Sequence, residues 1–158
     1  MRSWMKLIVL ALVTLGGSFA YAEGPGTDYP PFVAVEGYQR TDFVEHRFDK
    51  AVFLSDDKGT KTTVAGHLIY VEYTSKDPTA GGDLYLVSSL QEQLRAIKDA
   101  QILNQSDRCP GGSIQIGVTE RPVLTIRFNK NNNPVWVAIS CRDPYYSVTV
   151  VEEQAFHH

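Results

Sequence analysis

The four histidines are the first place to look for acid–base or metal chemistry. His46 stands between Val44 and Phe48 in an extended pattern, and His67 sits in the middle of a second one. His157 and His158 close the sequence, where little packing is available to hold a catalytic ring. No H-x-x-x-H or H-E-x-x-H pair occurs, so the paired imidazoles of a helix-borne zinc site are missing. Glu45 and Asp49 are the nearest co-ligands for His46. Along a regular strand successive side chains alternate between faces, so these three residues are expected not to converge. No metal ligand is assigned, and no cofactor-binding residue.

The other reactive groups do not organise into a site either. Asp56-Asp57 falls in a turn and Glu152-Glu153 near the end, and nothing marks two carboxylates as facing one another across a cleft, as glycoside cleavage requires. Ser88 and Ser89 begin a helix without a G-x-S-x-G elbow around them. Cys109-Pro110-Gly111-Gly112-Ser113 is glycine-rich, but no helix follows to receive a phosphate, so it reads as a turn. Tyr70, Tyr73, Trp136, Tyr145 and Tyr146 suit strands and cores first; those on a wet sheet face would offer a platform for carbohydrate or peptide. No catalytic residue is assigned, and the chain is read as a binder and not an enzyme.

The ends and the cysteines say where such a domain works. Arg2 and Lys6, the apolar run Leu7 to Val13, and Ala20-Tyr21-Ala22 form the three regions of an export signal, with cleavage expected between Ala22 and Glu23. Gly16, Gly17 and Ser18 end the run short of the roughly 20 apolar residues that a spanning helix needs. No apolar stretch after the cut is long enough to span, so no transmembrane segment is expected in the mature chain. Cys109 and Cys141 are the only two cysteines. An even count in an exported chain favours a bridge, and closing the 109–141 loop is worth about 3–4 kcal/mol on the chain-entropy model. The whole chain carries a net charge of −3, and losing Arg2 and Lys6 makes the mature form more negative still. That balance argues against a nucleic-acid partner and against an anionic membrane surface.

Residues 23–41 read as an irregular lead-in, punctuated by Gly24, Pro25, Gly26, Pro30, Pro31 and Gly37. One α+β domain is expected over 42–153, with a tail at 154–158. Asp42 to Leu54 and Lys61 to Tyr73 form two strands joined across Ser55-Asp56-Asp57-Lys58-Gly59. Val87, Leu90, Leu94 and Ile97 recur at helical spacing, with Asp83 or Thr79 to cap the start. Period-two alternation follows in Ile114 to Val118, Leu124 to Phe128, Val135 to Cys141 and Tyr146 to Val150, with a further short strand near Gln101 to Asn104. Such alternation is the habit of an antiparallel sheet with one wet face. The expected architecture is a twisted antiparallel sheet with one packed helix, in the order β-β-α-β-β-β-β.

Several of these segments form an ordered series: Asp28-Tyr29-Pro30, Gly37-Tyr38, Phe48 to Phe53, and Gly66-His67-Leu68-Ile69-Tyr70-Val71-Glu72-Tyr73. Pro134-Val135-Trp136-Val137 and Tyr145 to Glu152 complete it. The series resembles the N-terminal extension of some bacterial OmpA-type envelope proteins and related stand-alone periplasmic domains. Gln101 to Ser113 departs from that pattern. The larger members of the family continue into a peptidoglycan-binding module beyond the point where this sequence stops, so the resemblance implies the envelope setting and not wall binding. The expected role is a non-enzymatic accessory or interaction domain, periplasmic or secreted, that binds an envelope protein or cell-wall component by a sheet face or edge strand. The alternatives are an enzyme acting on wall glycan or peptide, and an inhibitor of a wall-degrading enzyme.

Overall fold

The computed structural model describes residues 24, 26–77, 82–109, 116–117 and 121–155. The export signal at 1–22 with its cleavage site, Thr79, Pro110 to Ser113 and the terminal histidines lie outside the described residues. Six strands and one helix follow in order: β1 (Tyr38–Leu54), β2 (Lys61–Ser75), α1 (Asp83–Leu94), β3 (Gln101–Gln105), β4 (Leu124–Lys130), β5 (Asn133–Arg142) and β6 (Tyr145–Glu153). They form one antiparallel sheet in the spatial order β1-β2-β6-β5-β4-β3. The α+β class and the element order are those expected.

The boundaries differ in instructive ways. β1 starts at Tyr38, four residues early, because β2 runs on to Ser75 and gives Tyr38 a partner. The first strand after the helix is Gln101–Gln105. Of the stretch Ile114 to Val118 only Ile116 and Gly117 are described, and they form a turn. The helix ends at Leu94, so Ile97 reaches the core from the following turn. Gly82 occupies the N-cap position without a side-chain bond. Asp83 therefore does not cap; it lies in the first turn, where its charge suits the helix dipole.

The alternating residues of four strands make one apolar face. Ile69, Val71 and Tyr73 of β2 join Tyr146, Val148 and Val150 of β6, Val135, Val137 and Ile139 of β5, and Leu124 and Ile126 of β4. Leu86, Val87, Leu90 and Leu94 of α1 close over this face, together with Tyr29, Phe32 and Val35 of the lead-in. A single helix cannot bury its own stripe, and the sheet supplies the second layer. The β4–β5 hairpin turns on Asn131 and Asn132, both at positive φ (52° and 66°), which asparagine tolerates better than most residues.

The opposite face is not simply wet. β1 is interrupted between His46 and Asp49, where three steps along β1 match two along β2. Such a bulge bends a strand and strengthens its twist. Gly66 faces it; a Cβ there would run into the carbonyl oxygen of Glu152. Past the bulge the hairpin arm lies back over the second face. Phe53 packs on Trp136 with ring centroids 5.7 Å apart, the Val52 amide donates to Gly117 O at 3.1 Å, and the Asn104 amide reaches Asp56 O at 3.3 Å. Ala51, Phe53, Val64, Leu68, Tyr70, Ala138 and Val151 form a second, smaller core there. The curl brings the arm of one edge strand to the other edge of the sheet.

Candidate functional site

Both described histidines meet carboxylates. The His46 Nδ1 lies 2.6 Å from Asp49 Oδ2, contrary to the alternation expected of a regular strand. The bulge adds one residue between them and returns Asp49 to the face of His46. The backbone N–H of Lys50, with the His46 ring, holds the Asp49 carboxyl below the usual range. His67 Nε2 lies 2.7 Å from Glu45 Oε1 across the β1–β2 pair, while its Nδ1 faces Glu152 Oε1 at 4.0 Å. Lys130 in turn sits 3.4 Å from Glu152 and 5.0 Å above the Tyr29 ring. Glu45, expected to point away from His46, thus serves His67. Among the described residues no group of three His, Cys, Asp or Glu is placed to hold a metal ion.

A second polar cluster is buried and structural. Arg40, only 7% exposed, donates to Asp28 Oδ1 at 2.9 Å. The Tyr73 hydroxyl donates to the same oxygen at 2.7 Å. Tyr73 stacks on Tyr146 with centroids 4.6 Å apart, and Tyr38 meets Tyr146 edge-on at 5.0 Å. The Tyr146 hydroxyl accepts from the Val35 amide at 3.0 Å. Burial pushes the hydroxyls of Tyr73 and Tyr146 well above the ordinary tyrosine value, so both stay protonated. Asp28, Tyr38, Tyr73 and Tyr146 come from four separate segments of the chain, and their meeting seats the lead-in on the sheet.

The aromatics singled out in the sequence therefore divide. Tyr73 and Tyr146 belong to the helix-side core, and Tyr70, Trp136 and Tyr145 to the other face. On that face, register aligns Thr74 with Tyr145 and Arg142, Glu72 with Ser147 and Ser140, and Tyr70 with Thr149 and Ala138. Ser140, Ser147 and Thr149 are buried. At the outer end Glu72, Arg142, Asp143 and Tyr145 line a cleft of about 450 Å³. The Tyr70 hydroxyl donates to Glu72 Oε2 at 2.9 Å and fixes that carboxylate. The β5–β6 turn that carries Arg142 and Asp143 is pinned by the Ser75 amide, which donates to Pro144 O at 2.9 Å. Strands and one short turn position every one of these side chains.

Neither Glu72 nor Arg142 stood out in the sequence. The available signal was Tyr70, Glu72 and Thr74, three polar residues at period two on a strand otherwise rich in aliphatic residues. Arg142-Asp143-Pro144 read only as a turn. Cys109 and Cys141 stand at bonding distance, with Cα atoms 5.3 Å apart, Cys141 inside the helix-side core and Cys109 packed against it. Asp56 spends its carboxylate on the hairpin turn, accepting from the Lys58 and Thr60 amides.

No family model, curated protein or solved structure matches this chain. Among the described residues no helix is long and apolar enough to cross a membrane. The bridged cysteines are compatible with an oxidising, extracytoplasmic compartment.

Proposed function

We propose that this chain is a non-enzymatic interaction domain of the bacterial cell envelope, working in the periplasm and engaging another envelope component through the charged outer end of the sheet face opposite the helix. The observation that carries the reading is the cleft of Glu72, Arg142, Asp143 and Tyr145, charged groups presented on a strand scaffold. The conspicuous reactive groups elsewhere are occupied with each other: Asp28 with Arg40 and Tyr73, His67 with Glu45. The export pattern ending at Ala22, the two cysteines and the resemblance to envelope-protein extensions support the setting. A photo-crosslinker at Tyr145, compared with one at Lys58 in the β1–β2 turn, tests it in cells. An envelope adduct specific to position 145 is expected; equal labelling from both positions would defeat the reading.

One observation favours a second reading, an enzyme acting on wall glycan or peptide. His46 and Asp49 form a close, solvent-facing pair, and such a pair is two-thirds of a nucleophile-activating triad. Incubating the purified protein with wall fragments and reading products by mass spectrometry separates the two. Turnover abolished by Asp49→Asn would establish the enzyme in place of the binder.

A further inference from the structure

Resting on that reading, we propose that the cleft between β2 and the β5–β6 turn takes a short zwitterionic peptide, with its C-terminal carboxylate on Arg142 and its N-terminal amine on Glu72 and Asp143. The inference starts from charges that share a cleft without neutralising one another. Arg142 lines the same cleft as Glu72 and Asp143. Among the described residues, however, it forms no ion pair with either, whereas Arg40, Arg95 and Lys130 all reach acids within 4.0 Å. The guanidinium and the two carboxylates thus share one cleft with no ion pair between them, which leaves both signs of charge open to a ligand. Glu72 is held by Tyr70, and burial and that carboxylate push the Tyr70 hydroxyl above its ordinary value, so it remains a donor. Arg142 stands at the end of β5, directly across from Tyr145, on the turn pinned by Ser75.

A ligand bearing one positive and one negative group relieves both sides at once. A guanidinium matches a carboxylate with two parallel donors, and an ammonium has three donors to share between the two acids. The Tyr145 ring, 42% exposed, offers an apolar surface to the side chain between them. A neutral glycan would not call for the charges, and the net charge of −3 disfavours a polyanion. The cleft volume of about 450 Å³ lies within the usual range for small-ligand sites, which is roughly 300–1,000 Å³. The larger groove beside α1, lined by Asp83, Leu84, Gln91, Asp107 and Arg108 among others, is set by a helix N-terminus and a loop, and no comparable strand scaffold fixes its charges.

The test is amide and side-chain NMR of the isotopically labelled protein titrated with trialanine. Three forms of the peptide are used: with both ends free, N-acetylated, and C-terminally amidated. The free form should move resonances at Glu72, Arg142, Asp143 and Tyr145, and each blocked form should bind about tenfold or more weakly, the worth of one charged hydrogen bond. Arg142→Ala should erase the preference for a free carboxylate while keeping that for a free amine, and Glu72→Gln should do the reverse. Arg142→Gln serves if the alanine variant loses its dispersed spectrum. Unmoved cleft resonances, or equal binding of the three forms, would overturn the ligand class. Crosslinking from Tyr145 would then still judge the interaction-domain reading by itself.

Discussion

Replacing Asp28 by alanine should destabilise the protein far more than removing any exposed acid. Asp28 Oδ1 takes two hydrogen bonds, from Arg40 at 2.9 Å and from Tyr73 at 2.7 Å. The Arg40 side chain is 7% exposed and that of Asp28 21%. Deleting the acid takes the carboxylate partner from a buried guanidinium and a buried phenol hydroxyl, and breaking a buried ion pair from one side typically costs about 3–5 kcal/mol. Arg40 keeps its bonds to Gly24 O at 3.2 and 3.3 Å, and water reaches part of Asp28, so about 2–4 kcal/mol is expected. Tyr73→Phe removes one donor and leaves the ion pair, so it should cost about 1 kcal/mol. Arg40→Met combined with Asp28→Leu should recover much of the loss, because an apolar pair leaves no stranded charge. Glu92→Ala is the control: its partner Arg95 is 76% exposed, and exposed pairs contribute little. The assay is urea denaturation followed by tryptophan fluorescence, with limited proteolysis to report detachment of residues 24–37. Equal midpoints for Asp28→Ala and Glu92→Ala, or strict additivity in the Arg40–Asp28 double variant, would refute the argument.

Three other outcomes are expected. Leu94→Ala should cost roughly 2–5 kcal/mol as a large-to-small change in the core, while Gln91→Ala on the same helix should cost little; equal shifts in the urea midpoint would mean the wrong helix face. Cys141→Ala opens a bridge between residues 32 apart in sequence and should cost about 3–4 kcal/mol, with the strand-type circular dichroism retained. Burial raises the hydroxyls of Tyr29, Tyr38, Tyr70, Tyr73 and Tyr146 above the ordinary tyrosine value. The unfolded chain sheds these protons above about pH 10 while the folded chain keeps them, so the unfolded state binds fewer protons and stability must fall as pH rises past that point. A denaturation midpoint that is flat or rising through that window would contradict the burial.

Local pattern was enough for the element order, the antiparallel sheet and the stripe of Leu90 and Leu94, because each is a periodicity within a dozen residues. It was enough, too, for the face shared by Val135, Val137, Ile139 and Cys141. It failed where one extra residue reset the period. The bulge at His46 to Asp49 reverses the alternation rule there, and the same bend lays Phe53 against Trp136. The second face then carries a core of its own and buried Ser147 and Thr149, in place of the wet surface that alternation implies. Asp28, Tyr38, Tyr73 and Tyr146 are visible along the chain only as separate motifs; that they build one network depends on the lead-in folding back onto the sheet. The cleft is decided at the same level. Glu72 and Arg142 are neighbours only because β2 pairs with β6 and β6 with β5, and strand order is a long-range choice that no short stretch of residue types encodes.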